Sequence, residues 1–201
     1  MNRTELPKEY SLLRRIDWSR DRRVFLGIEI GQLLLLIGLG FLGFAILPER
    51  MISRSQFLLQ LAVLCLGIGI VALGHEALHA AGMRLAGHAS ARLRLPSWRL
   101  RAVSPVYFDR RTAVGILLLP PIGLGILLLG LNLAVPADWQ WTVYGLQVLN
   151  AAAAWEDFCL ALCLSRFDKH MLLQFREKSL EIYTVTEEKE KGLSQNDFSK
   201  S

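Results

Sequence analysis

The residues best equipped for chemistry are crowded into one stretch, Gly74-His75-Glu76-Ala77-Leu78-His79. On a helix His75 and His79 are four residues apart and share a face, so their imidazole nitrogens can meet on one metal ion. Glu76 is rotated from His75 by about 100° and can reach a water on that ion. Zinc lowers the pKa of such a water to ~7, and a nearby carboxylate accepts its proton as the oxygen attacks a carbonyl. The spacing predicts metal-assisted peptide hydrolysis, with Zn2+ as cofactor, His75 and His79 as ligands and Glu76 as catalytic general base. A catalytic zinc also needs a third protein ligand and an open position, and this helix cannot supply the third.

The elements that carry these residues are strongly apolar. Of 201 residues 52% are hydrophobic and 20% charged, and the charges crowd into residues 1–23, 84–111 and 166–201. That pattern excludes a disordered chain, a collagen-like chain and a disulfide scaffold. It also argues against a soluble globule, which would have to hide runs of about 20 apolar residues, the length that crosses a bilayer core. Four such runs are present: Val24–Leu47, Phe57–Met83, Ala113–Val135 and Gln140–Ser165. The first exceeds the ~7–15-residue core of a signal peptide and no small-x-small cleavage site follows it, so it reads as a retained span. Ionisable groups inside a span are costly and usually mark function, although a polar cluster can also glue helices together.

Lys and Arg are held on the cytoplasmic side of a membrane. From the N-terminal arm to the tail, the segments outside the spans carry 7, 2, 7, 0 and 7 of them. This predicts an integral protein of a bacterial cytoplasmic membrane with both termini cytoplasmic. The basic pI of about 9.4 is then explained by topology, without a nucleic-acid partner. The expected partners are the lipid bilayer and a membrane protein or peptide substrate; the oligomeric state is open. Trp139 and Trp141 stand where an interfacial aromatic belt would lie. In residues 88–108, Ala91, Leu93 and Leu95 alternate with Arg92, Arg94 and Pro96, and Trp98, Leu100 and Ala102 with Arg99 and Arg101, which reads as a hairpin turning at Pro96-Ser97. Residues from Met171 to Val185 could add a strand or a short helix, and 186–201 read as frayed. The expected fold is an all-α membrane protein, with four transmembrane helices and a short cytoplasmic β-hairpin between the second and third. Its parts are a cytoplasmic arm (1–23), a four-span metallopeptidase-like domain (24–165) and a cytoplasmic tail (166–201).

The fourth span offers the third ligand. His75 lies nine residues before Arg84, and Asp157 nine before Arg166. At 1.5 Å per residue both are about 14 Å from the same boundary. Gln147, Asn150, Ala154 and Asp157 fall on one helical stripe, and Glu156 lies about 100° off it. Asp157 is the preferred metal ligand and Glu156 the alternative. The run Ala151–Ala154 would allow close helix approach. Cys159 and Cys163 point away from the stripe, and with Cys65 they read as small apolar fillers. Pro120-Pro121 comes at a similar depth in the third span. Proline frees a backbone carbonyl, so this is either a bend admitting water or substrate, or a structural kink. Glu29 and Gln32 share a face of the first span. Glu29 reads as an acid paired with arginine near the interface, or the pair lines the site. His88 and His170 fall in the cytoplasmic segments and read as solvated.

These residues carry a resemblance. GHEALHAAGM (74–83), VYFDRRTAVGILLLPP (106–121) and LNAAAAWEDFCLALCLSRFDKH (149–170) resemble the bacterial membrane family described as putative zincin peptidases, itself distantly similar to site-2 proteases. The likeness spans roughly residues 57–185. It implies His75 and His79 as ligands, Glu76 as base and Asp157 as third ligand. The chain departs in having Glu156 where the family usually has Gly, and it lacks the Leu-Asp-Gly motif of true site-2 proteases. A non-catalytic zinc-binding membrane protein, serving assembly or regulation, is the alternative. A di-iron carboxylate enzyme would want a second Glu-x-x-His, which is absent, and a transporter would be expected to show an inverted repeat.

Overall fold

A computed structural model describes residues 4–17, 22–47, 53–87, 91–94, 101–176 and 179–186. The turn at Pro96-Ser97, His88 and residues 187–201 lie outside them. In chain order the elements are β1 (Tyr10–Asp17), α1 (Arg22–Ile46), α2 (Arg54–Gly87), β2 (Arg92–Arg94), β3 (Arg101–Val103), β4 (Phe108–Asp109), α3 (Arg110–Ala134), α4 (Gln140–Ala153), α5 (Trp155–Ser165), β5 (Leu172–Phe175) and β6 (Ser179–Val185).

Four segments are long and apolar enough to cross a membrane, and they fall on the four expected runs. None of the most apolar window of α2 and only 6% of that of α1 is buried within the protein, against 33% for α3 and 44% for α4–α5. A helix that is apolar all round yet uncovered by protein needs lipid as its solvent. Within the bundle α3 and α4–α5 are central, with α1 packed on α4 and α5, and α2 on α3 and α4. Gly31 and Gly43 of α1 make close approach possible: a Cβ at either would collide with the rings of Trp155 or Tyr144. The Tyr144 hydroxyl donates to the Leu39 carbonyl across this seam at 2.6 Å. At the Arg54 end of α2, the Gln60 carboxamide donates to the Asp138 carbonyl at 2.7 Å, fixing α2 to the α3–α4 connection.

The fourth run is interrupted. A turn at Ala154, completely buried, separates α4 from α5, so the span expected as one helix is two segments. The break falls three residues before Asp157, on the alanine-rich stretch.

The protein is mostly helical, as expected, but the expectation of a single short hairpin is incomplete: a four-stranded antiparallel sheet in the order β1-β6-β5-β4 caps the bundle. The N-terminal arm supplies one edge and residues 172–185 the two middle strands. Tyr10 pairs with Val185 and Asp17 with Ser179, with a bulge between Leu12 and Arg14. The hairpin between α2 and α3 is present as β2–β3, Leu93 opposite Ala102, so the apolar positions share a face as their alternation required. The main core lies where the helices meet the sheet: Met83 from α2, Ile116 and Leu117 from α3, Leu160 and Leu164 from α5, and Phe108, Leu173 and Ile182 from the strands. Arg110 Nη1 ties the start of α3 to the end of α5 through the Ser165 and Phe167 carbonyls. The sheet therefore holds the ends of α3 and α5 in register, and with them the depth of Ile116 and Asp157.

Candidate metal centre

His75 and His79 stand one turn apart on α2 and both are buried. Asp157 comes from the first turn of α5 and is 8% exposed. Asp157 Oδ2 lies 2.8 Å from His75 Nε2 and 3.4 Å from His79 Nε2. The two rings meet edge-on, with centroids 5.0 Å apart. One ligand atom from each of the three residues falls within 4.8 Å of the other two, making a group that could hold a metal ion.

Whether that group suits zinc is decided by its protons. His79 Nδ1 lies 2.9 Å from the Ile116 carbonyl of α3. A carbonyl only accepts, so Nδ1 carries a hydrogen, which leaves Nε2 as the nitrogen directed at the Asp157 carboxylate and, in the neutral ring, the one free to bind a metal. His75 adds a second imidazole at the same point, and its Nδ1 is buried with no hydrogen-bond partner among the described residues. Two imidazole nitrogens and one carboxylate oxygen are a donor set of the zinc type, three protein ligands with room for a fourth position. An outer partner holding the second nitrogen of a ligand histidine is usual in such sites. The residues fit the ion.

The acid beside the histidines is held by the hairpin. The Ala102 backbone N–H donates to Glu76 Oε2 at 2.8 Å. Ser104 N–H donates to the Phe175 carbonyl at 3.2 Å. The outer edge of β3 and the residue after it are therefore engaged by α2 and β5. Glu156, the alternative ligand, turns to Arg101 of β3 at 2.9 Å. Neither interaction was legible in the sequence, because the hairpin's seat against α2 and α5 leaves no local pattern.

A cavity of about 440 Å³ reaches this group, lined by Ile68, Val71, Ala72 and His75 of α2, Leu146, Leu149 and Asn150 of α4, and Gln32 of α1, among others. Glu76, Arg101, Glu156 and Asp157 also border it. Asn150 is 2% exposed, and its Oδ1 has no partner among the described residues. Gln32 thus does line the site, whereas Glu29 is not among the lining residues; the side chain of Arg23 lies outside the description. His170 is exposed, its carbonyl accepting from the Tyr10 hydroxyl. Cys65, Cys159 and Cys163 are free thiols outside the metal group.

Fold and site together define a helical bundle of membrane-spanning character with a buried His-His-Asp group that could hold a metal ion. The chain belongs to the family described as putative zincin peptidase, whose sequence model matches residues 67–172, from the middle of α2 to the first residue of β5. No curated protein and no solved structure shows significant similarity to it.

Proposed function

We propose that the protein is an intramembrane zinc metallopeptidase that hydrolyses a peptide bond of a membrane-anchored substrate near the cytoplasmic face. The observation that carries this reading is the convergence of His75, His79 and Asp157 into one group, of which His75 and Asp157, with Glu76 alongside, border a cavity walled by membrane-spanning helices. His75, His79 and Asp157 would hold the ion. Bound zinc supplies a Lewis acid that makes water a competent nucleophile near neutral pH. Glu76 is the general base, its carboxylate aimed by the Ala102 N–H. Asn150 offers a buried carboxamide to a substrate backbone that leaves its helical hydrogen bonds to become cleavable. The apolar walls accept side chains from lipid, and the arginines of segments 84–111 and 166–176 support a reaction near the cytoplasmic side.

Glu76→Gln tests the reading against a zinc-binding protein without catalysis. The expected result is one zinc per chain retained and cleavage of a membrane-anchored peptide library reduced by roughly 10²–10⁴-fold, the usual worth of a general base. Cleavage undiminished in the variant removes the enzyme reading.

A further inference from the structure

The geometry points to Pro120 as a positioning residue for the metal group: lacking an N–H, it reserves the Ile116 carbonyl for His79 and so fixes which nitrogen of that ring faces Asp157. This deepens the zinc reading and rests on it.

In an α-helix the N–H of each residue bonds the carbonyl four residues earlier. Position 120 would serve Ile116, but proline has no N–H to give. Helix α3 nevertheless runs on through Pro120 and Pro121 to Ala134. The Ile116 carbonyl, in a residue only 3% exposed, is therefore left by covalent structure without its ordinary partner. His79 Nδ1 takes that place from the neighbouring helix at 2.9 Å. With Nδ1 committed as donor, Nε2 is the nitrogen that lies 3.4 Å from Asp157 Oδ2. Gly82, three residues after His79, supplies the close approach this requires. A Cβ there would stand 3.1 Å from Leu119 Cδ2 and 3.8 Å from Ile116 Cα.

The second proline is a built-in control. Pro121 withholds its N–H from Leu117, so any general bending or loosening of α3 is common to both prolines, while release of the Ile116 carbonyl belongs to Pro120 alone. A restored N–H at 120 competes for that carbonyl and loosens the ring of His79.

The test uses the full-length protein in nanodiscs and measures zinc affinity by competition with a chromophoric chelator. Pro120→Ala should weaken zinc binding by roughly 10–100-fold, the range seen when a ligand histidine loses its outer partner. It should do so with unchanged or higher thermal stability of the metal-free protein, since alanine is the better helix residue. Pro121→Ala should keep the wild-type affinity. Equal losses in the two variants, or none in Pro120→Ala, overturn the inference and leave the metal site standing. A wild type that binds no zinc overturns the metal reading and this inference with it. Nitrogen NMR of histidine-labelled, zinc-loaded wild type gives a check independent of any variant's folding. His79 should show Nδ1 protonated and Nε2 as the metal ligand, and the reverse assignment sinks the proposal.

Discussion

Two carboxylates are buried to almost the same degree in this molecule, and they live by different rules. Glu181, in the middle of the sheet, is 5% exposed, and Asp157, between the helices, 8%. Glu181 is surrounded by donors: the Tyr183 hydroxyl at 2.7 Å, Arg176 Nε at 3.3 Å and the Arg15 guanidinium. Asp157 faces two imidazoles, one of which commits its Nδ1–H to the Ile116 carbonyl. The first region matches its acceptor with hydrogen-bond donors, so it is complete as folded. The second brings one carboxylate oxygen and two imidazole nitrogens, the nearer at 2.8 Å, to a single point that a cation could occupy. Burial of an acid does not by itself mark a site; the local balance of donors and acceptors does.

The comparison can be broken most sharply at Asp157. Asp157→Ala should lower zinc affinity by more than the ~100-fold that an outer partner is worth, because a ligand itself is lost. Zinc bound undiminished by this variant would move the third ligand elsewhere and dissolve the contrast. The mirror experiment is Glu181→Ala. It leaves the Tyr183 hydroxyl buried without its acceptor, and should cost about 1–3 kcal/mol of unfolding stability in a denaturant titration. Zinc stoichiometry should stay at the wild-type value. Loss of zinc in Glu181→Ala to the extent seen in Asp157→Ala would mean that the two regions are one network.

The four spans and the depth match of His75 and Asp157 were legible because both follow from counting: apolar length for the spans, 1.5 Å per residue for the depth. Pro120 announced a free carbonyl, but not that His79 would take it, since that depends on how closely α2 approaches α3 at Gly82. The sheet was hidden for two reasons. Strand β1 pairs with residues some 170 positions away, Tyr10 with Val185, so nothing local calls for it. Its bulge between Leu12 and Arg14 also breaks the two-residue period by which a strand is recognised. Its arginines instead read as a topology signal. The break at Ala154 was hidden too: a run of four alanines is as helical a sequence as exists, and nothing local marks the fully buried residue at which it is interrupted.

The smallest expected effect isolates the complete region through its protons. Burial alone would raise the Glu181 carboxyl, but the hydrogen bonds from Tyr183 and Arg15 and the charges of Arg176 and Arg15 hold it below its ordinary 4.5. Burial, followed by the hydrogen bond to Glu181 and its negative charge, pushes the Tyr183 hydroxyl from 10.0 up to about 12. The signs are opposite. A depressed carboxyl contributes stability that is present above the unfolded-state value and lost as pH falls through the folded one. A raised phenol contributes stability that is present below pH 10 and lost as pH rises toward about 12. The sheet should therefore be evenly stable across the neutral range and weaken only at the two extremes. Tyr183→Phe should cost on the order of 1 kcal/mol at neutral pH, remove the alkaline decline, and move the acid decline upward, since Glu181 loses one of the bonds that hold its carboxyl down. Unfolding monitored by hydrogen exchange of β5 and β6 across pH would read both limbs. An alkaline decline that persists in Tyr183→Phe would show that the sheet's pH response comes from another group, and would cost Glu181 its role as the satisfied counterpart of Asp157.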